Sequence, residues 1–426
     1  MSPLNGNHRD IGAADRALLV VVETRGDDLV DWEAGELHDL AHSAGVDVVG
    51  EIRQRRFRPD PAFYVGHGKA EEVYELVLEE DANVVIFGDD LSPTQQRHLE
   101  EALTVRVLDR TQLILDIFAQ RAHTKEGKLQ VELAQLEYLL PRLTGKGIQL
   151  SRLGGGVGTR GPGETKLETD RRRLRKRIER VKKDLEEVIQ HRDVQRRGRR
   201  RLPFPSAALV GYTSSGKSTL LNTLAGTDVL TDGKLFATLD PTTRRVVLSE
   251  GGGLILTDTV GFIRNLPHHL IAAFRATLEE VLDADFLVHV VDAGHPQRDA
   301  QMQAVEEVLD ELDVLEKSIV TVFNKSDLFK DQYELRKAVL DTPSSVYISA
   351  LKRDGLPYLM RLLEDTIKSL VRRLRLEIPY ERADLVSFCY DNGRVISVEY
   401  ERDKIIVVAE IGAGAVGRLE AFAAKD

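Results

Sequence analysis

The chain has 426 residues, 42% of them hydrophobic, and a formal net charge of −10. That length suits about three domains of ~100–200 residues each, and the apolar share excludes wholesale disorder. A single cysteine, Cys389, excludes an internal disulfide framework and a thiolate zinc cluster, and the acidic balance argues against indiscriminate nucleic-acid binding.

Residues 1–15 read as a flexible tail, with the polar start from Met1 to Arg9 unlike a signal peptide. No apolar run approaches the ~20 residues that cross a bilayer, so a cytoplasmic location with no membrane span is expected. Residues 16–122 alternate short apolar strands, at 18–22, 46–52, 84–87 and 105–108, with segments of helical period. Such alternation predicts an α/β domain, a parallel sheet covered by helices. Ser92-Pro93-Thr94-Gln95 reads as a helix start, with Ser92 as cap, Pro93 at the first position and Gln95 reaching back. Gly66-His67-Gly68-Lys69 lacks the first glycine and the spacing of a phosphate-binding loop, so it predicts a tight turn into a helix.

Residues 123–200 carry two narrow apolar seams. Leu129, Leu133, Leu136 and Leu140 recur at 4-3-4 spacing, and Leu174, Ile178, Val181, Leu185 and Val188 at 4-3-4-3. Pro141 predicts that the first helix ends at the preceding residue. Between the seams, the glycine-dense stretch 153–164 cannot bury a core. An antiparallel helical hairpin with a glycine-rich tip loop follows. From Arg171 to Arg200 there are fourteen Lys and Arg against five acids. A solvated helix face is the ordinary fate of such a run; an arm aimed at a polyanion is the sharper reading.

The span 201–370 reads as a second α/β domain. Gly211-Tyr212-Thr213-Ser214-Ser215-Gly216-Lys217-Ser218, followed by Thr219, fits G-x-x-x-x-G-K-[ST]. An apolar strand precedes it and an apolar-periodic helix follows. Backbone N–H groups and a helix N-terminus then converge on phosphates. Lys217 would bridge the β- and γ-phosphates, and Ser218 would ligate Mg²⁺. Asp258-Thr259-Val260-Gly261 ends the next strand, with Asp258 near the metal through a water and the Gly261 N–H offered to the γ-phosphate. The loop 235–244 should hold the threonine that senses γ-phosphate and Mg²⁺, Thr238 in the first place and Thr242 as the fallback. Asn324-Lys325-Ser326-Asp327 closes another buried strand, where Asp327 can accept two hydrogen bonds from guanine N1 and N2. After a further strand, Ser349-Ala350 can bring a backbone N–H to guanine O6. These motifs in this order define a P-loop GTPase (G) domain that binds GTP and GDP. His289, inside an apolar strand, reads as a core histidine. The remainder, 371–426, predicts a small α+β domain: a helix at 382–390, a turn at Asn392-Gly393, and two strands at 395–400 and 405–411.

The chain resembles the HflX family, ribosome-associated GTPases of the Obg–HflX branch. Outside the G domain the likeness rests on Leu113-Ile114-Leu115-Asp116-Ile117-Phe118-Ala119-Gln120-Arg121-Ala122, on Glu126-Gly127-Lys128-Leu129-Gln130-Val131-Glu132-Leu133, and on Gly161-Pro162-Gly163-Glu164-Thr165-Lys166-Leu167-Glu168-Thr169-Asp170-Arg171-Arg172. The resemblance implies binding to the large ribosomal subunit, ribosomal RNA and protein included, with the tip loop directed towards the peptidyl-transferase region. It also implies the splitting of stalled ribosomes under stress. Arg160, Lys166, Arg171 and Arg172 become candidates for RNA contact. Phe262 stands where Ras-like enzymes place a water-orienting glutamine, so slow intrinsic turnover that needs a partner is expected. The family usually carries asparagine at Ser214, a residue linked to a K⁺ ion beside the phosphates; serine has shorter reach. Nothing in the sequence demands a dimer. Two other readings use the same cycle or part of it: an assembly GTPase on immature large subunits, and an RNA-remodelling NTPase acting through the N-terminal domain.

Overall fold

The computed structural model describes residues 15–23, 30–143, 166–200, 204–227, 235–249, 252–265, 267, 275–329 and 333–424. The tip stretch 153–164, and Arg160 with it, lies outside them. The chain divides into two compact units: one holds residues 1–189 with 232–240 and 265–277, the other 190–231, 241–264 and 278–426. Among the described residues, no helix is long and apolar enough to cross a membrane.

The first unit begins with β1 (Arg16–Glu23), α1 (Val30–Ser43), β2 (Asp47–Arg55), α2 (His67–Glu79), β3 (Val84–Phe87), α3 (Pro93–Leu103), β4 (Arg106–Leu108) and α4 (Arg110–Arg121). The strands form a parallel sheet in the order β2-β1-β3-β4. β1 is buried from Ala17 to Val22, as a strand covered on both faces must be. Gly66 is the cap residue of α2, the turn expected of Gly66-His67-Gly68-Lys69. At α3, Ser92 and Gln95 form the predicted capping box with Pro93 in the first turn.

Two longer helices follow, α5 (Lys125–Arg142) and α6 (Lys166–Arg200). Leu133, Ile178, Val181 and Leu185 bury the expected seam, with Leu129, Leu136, Leu140 and Ile189 packed around it. Ile189, rather than Val188, joins this cluster. Arg177–Glu132 (2.6 Å) and Lys182–Glu137 (2.9 Å) lie beside it; such exposed pairs add little. One expectation fails: α5 runs through Pro141 to Arg142. Pro141 forfeits the one ladder bond its N–H would have made to Glu137 O, and the last turn survives because Arg142 is pinned by tertiary bonds. Its guanidinium donates to Leu91 O (2.8 Å), Asp109 Oδ2 (2.8 Å) and Gln96 Oε1 (2.9 Å) and stacks 3.4 Å from the Tyr138 ring. Burial pushes the Asp109 carboxyl up, with Arg142 opposing.

In the second unit come β5 (Ser206–Val210), α7 (Lys217–Ala225), β6 (Thr242–Val247), β7 (Gly253–Asp258), α8 (Arg275–Asp283), β8 (Phe286–Asp292), α9 (Arg298–Glu311), β9 (Ile319–Asn324), α10 (Tyr333–Asp341), β10 (Ser345–Tyr347) and α11 (Leu356–Leu370). Residues 275–277 of α8 cluster with the first unit. The sheet order is β10-β9-β8-β5-β7-β6, parallel except for β6 against β7. β5 lies in mid-sheet, so its carboxyl end opens into the crevice where open α/β sheets bind ligands. β6 occupies part of what the sequence presented as loop; Arg244 and Arg245 on it are exposed, as suits an edge strand.

The same unit ends in β11 (Val371–Pro379), α12 (Asp384–Asn392), β12 (Gly393–Tyr400), β13 (Lys404–Gly412) and α13 (Ala413–Val416). The antiparallel sheet β11-β13-β12 packs Leu374, Leu376, Ile378, Val407 and Ala409 against Leu385 and Cys389 of α12. β11 is a third strand where the sequence suggested two. Burial pushes the Cys389 thiol up to about 11.

Candidate nucleotide-binding site

β5 delivers the chain to Gly211 at φ 149°, where a Cβ would lie 2.2 Å from Val290 O. Only glycine fits. The loop tip, Ser214, is exposed and left-handed at φ 59°, while Tyr212, Thr213 and Ser215 are buried. Gly216, at φ 97°, caps α7, and a Cβ there would sit 2.3 Å from Asn324 Nδ2. Lys217 opens α7 as a buried amine, donating to Gly211 O (3.0 Å) and Tyr212 O (2.8 Å). Burial pushes it down to about 8, against the opposing pull of Asp258. Its hydrogen bonds go to the loop's own carbonyls, and incoming phosphate oxygens would compete for the same three protons. Thr219 follows in the first turn, half-buried.

Ser218 Oγ donates to Asp258 Oδ2 at 2.6 Å. Asp258, at the end of β7, is buried, and its Oδ1 has no hydrogen-bond partner among the described residues. A hydroxyl, a carboxylate and an orphaned carboxylate oxygen suit a hard, oxygen-seeking cation that keeps some of its waters, so the residues fit Mg²⁺. Of the two candidate threonines, Thr242 opens β6 directly opposite Asp258 in the antiparallel register. Thr238 belongs to the first unit.

Gly261 lies so close to the loop that a Cβ would be 2.8 Å from Thr213 Cα and 3.1 Å from Lys217 Nζ. The next residue ties the two segments together: Phe262 N–H donates to Gly211 O (3.1 Å), and Thr213 N–H donates to Phe262 O (2.7 Å). The Phe262 ring is 1% exposed. It has neither the chemistry nor the exposure to orient a water. Tyr212 also accepts, through its hydroxyl, the Arg264 N–H at 2.9 Å.

The residues expected to select guanine converge at the ends of β9 and β10. Asn324 Nδ2 donates to Ser215 O (2.9 Å) and its Oδ1 accepts the Ala350 N–H (3.0 Å). The Ala350 N–H, expected at guanine O6, is thus engaged by Asn324 here. Lys325 is left-handed at φ 62° and its Nζ reaches Asp292 Oδ2 at 2.7 Å. Asp327 is exposed, accepting from Ser349 Oγ at 2.5 Å. Sequence reasoning missed Asp292, although its place at the end of an apolar strand was a usable signal, and missed Asn324 as a strut. His289 is a buried, neutral core residue, pushed down to about 4 by burial and by Lys217. In the other unit, α6 begins at Lys166, with Arg171 half-buried and Arg172 exposed along it.

Profiles of known families cover most of the chain. Residues 32–119 match "GTP-binding GTPase N-terminal", 121–199 match "GTP-binding GTPase Middle Region", and 206–325 match "50S ribosome-binding GTPase". Whole-length relatives agree. "GTPase HflX" of Caldanaerobacter subterraneus is 46% identical over 408 residues, covering 96% of this chain and 94% of the relative. That of Lacrimispora saccharolytica is 47% identical over 397 residues, with 93% of each chain covered. The Escherichia coli protein is 44% identical over 380 residues, with 89% of each covered.

Proposed function

The chain belongs to the HflX family and is a GTP phosphohydrolase, and from that premise we propose that it acts on the large ribosomal subunit as a cytoplasmic monomer, splitting stalled ribosomes under stress. The observation that carries the partner-dependent part is the buried Phe262 beside Gly261. Phe262 stands where a side chain orienting the attacking water is expected, and a buried phenyl ring cannot do that. The profile described as "50S ribosome-binding GTPase" over residues 206–325 supports the ribosome as that partner, as does the excess of Lys and Arg along 171–200.

In this reading Lys217 transfers its hydrogen bonds from Gly211 O and Tyr212 O to the β- and γ-phosphates, while the loop from Gly211 to Thr219 wraps them. Asp327 accepts the guanine N1 and N2 protons, Lys325 and Asn324 hold the base-binding loop, and Ser349 fixes the Asp327 carboxylate. Ser218 and Thr238 would hold Mg²⁺, with Asp258 acting through a water, and the bound ion would supply charge neutralisation for the transferred phosphoryl group. Gly261 senses the γ-phosphate through its N–H and relaxes when that phosphate leaves. Ser214 is the residue that would face K⁺. The tip loop with Arg160, and Lys166, Arg171 and Arg172 on α6, contact RNA.

The test is steady-state GTP hydrolysis with and without purified large subunits, in sodium and then in potassium. Turnover should rise at least about tenfold with subunits, the scale of a partner that supplies more than 1 kcal/mol in the transition state. No rise in either salt would sink the proposal. A preference for precursor over mature particles in sedimentation would move it to subunit assembly.

A further inference from the structure

The segment that follows β7 comes back to the phosphate loop that follows β5. The two strands run parallel with Leu209 opposite Asp258, and the chain pairs again where Tyr212 lies opposite Phe262. Between the two pairings stand Val210 and Gly211 on one side, and Thr259, Val260 and Gly261 on the other. The surplus residue bends the second segment, as a bulge does. The Thr259 hydroxyl donates to Leu209 O (2.6 Å) at the start of the bend. Gly261 ends it, where a Cβ would be 2.8 Å from Thr213 Cα and 3.1 Å from Lys217 Nζ.

Beyond Gly261, three consecutive loop residues hold the stretch from Phe262 to Arg264. Gly211 O accepts the Phe262 N–H (3.1 Å), Thr213 N–H donates to Phe262 O (2.7 Å), and the Tyr212 hydroxyl accepts the Arg264 N–H (2.9 Å). The first two bonds are backbone only. The third depends on the tyrosine. The pattern G-x-x-x-x-G-K-[ST] leaves its second position open, because the loop's backbone is what cradles phosphates. Tyr212 is nonetheless only 4% exposed, and its hydroxyl holds the chain three residues beyond Gly261. A phenylalanine would fill the same space and could accept nothing.

We propose that Tyr212 is a positioning residue of the GTPase: its hydroxyl closes a latch from the phosphate loop to Arg264 that keeps the Gly261 N–H set for the γ-phosphate. The proposal rests on Gly261 being the γ-phosphate sensor and is independent of the ribosome. Every residue of the latch lies in the second unit. Gly261 is fixed on one side by Thr259 and on the other by Phe262 and Arg264, so its N–H needs less ordering when GTP arrives. GDP has no γ-phosphate and gains nothing from the latch. Tyr212 thereby sets part of the preference for GTP over GDP.

The experiment measures binding of a non-hydrolysable GTP analogue and of GDP, both with Mg²⁺, to the full chain and to its Tyr212→Phe variant. The variant keeps the buried ring and deletes the acceptor. It should bind the analogue about fivefold more weakly, the scale of one lost hydrogen bond, with GDP within about twofold. A tyrosine that only packs the loop would lose nothing with its hydroxyl, or would weaken both nucleotides alike, since both use that loop. Amide hydrogen exchange of the nucleotide-free proteins reads the latch itself: the Arg264 N–H should exchange at least about fivefold faster in the variant. An unchanged ratio of the two affinities, an equal loss for both nucleotides, or unchanged exchange at Arg264 overturns the proposal. The parent's Gly261 amide separates this failure from that of the sensor. If the analogue slows its exchange and GDP does not, the sensor stands whatever becomes of the latch; if both slow it equally, the sensor falls and the proposal with it.

Discussion

Replacing Lys217 by methionine should stabilise the empty protein while destroying its ability to bind GTP. Lys217 is buried, and its amine is pushed from an ordinary 10.5 down to about 8. At 1.36 kcal/mol per pH unit, that gap corresponds to about 3 kcal/mol of cost for keeping the charge inside the fold. Its removal orphans neither carbonyl, because Gly211 O still accepts from Phe262 N–H and Tyr212 O from Ser215 N–H. Methionine has similar length and no charge to desolvate. The pH dependence has a definite sign. Below about pH 8 the amine is charged in both folded and unfolded chains, and the full cost is present. Between about 8 and 10.5 the folded chain loses its proton first, the unfolded chain binds more protons, and stability rises with pH. Going from pH 7 to 9.5 should therefore stabilise the parent by about 2 kcal/mol relative to Lys217→Met. The assay is urea unfolding followed by circular dichroism, nucleotide-free, on both proteins at both pH values. Taking the difference between the proteins cancels every titrating group that does not feel the Lys217 charge. A variant less stable than the parent at pH 7, or a difference that ignores pH, would refute the reasoning. Added Mg²⁺ and GTP should raise the parent's midpoint and leave the variant's unmoved.

Asp327→Asn should lose GTP affinity by at least about 100-fold, because a site built on two hydrogen bonds to guanine is left mismatched. It should gain affinity for xanthosine triphosphate, whose C2 carbonyl can accept from the new amide; competition binding that shows no exchange of preference would remove Asp327 from the base site. Cys389, fully buried with its thiol pushed up to about 11, should react with iodoacetamide at pH 7.5 at least about 100-fold more slowly in the folded chain than in urea. Equal rates would mean that α12 opens readily.

The parts of this fold legible in the sequence are those whose reasons are local. Gly211 and Gly216 are required by backbone conformation and close approach, so the phosphate loop announces itself in eight residues. Ser92 and Gln95 satisfy each other within one turn. What escaped depends on partners far along the chain. Pro141 stays helical because Arg142 finds Leu91 and Asp109, and no local rule foresees that. β6 runs Thr-Thr-Arg-Arg-Val-Val, without the alternation that marks a strand, and β11 alternates only from Leu374, after Arg372 and Arg373. In β11 the sequence of Leu374, Leu376 and Ile378 was nevertheless a usable signal. Asp240 meets Thr124 across 116 residues. Its partner motif, from Glu126 to Leu133, was recognisable as distinctive while the close approach of Asp240 to Gly127 was not.

Asn324 joins two kinds of recognition in one side chain. One end of its amide holds the loop that takes the phosphates, the other the loop beside the base. A ligand carrying only guanosine, or only a triphosphate, meets one loop braced against an empty one. With the same amide bonded to both, the two loops are set at one spacing.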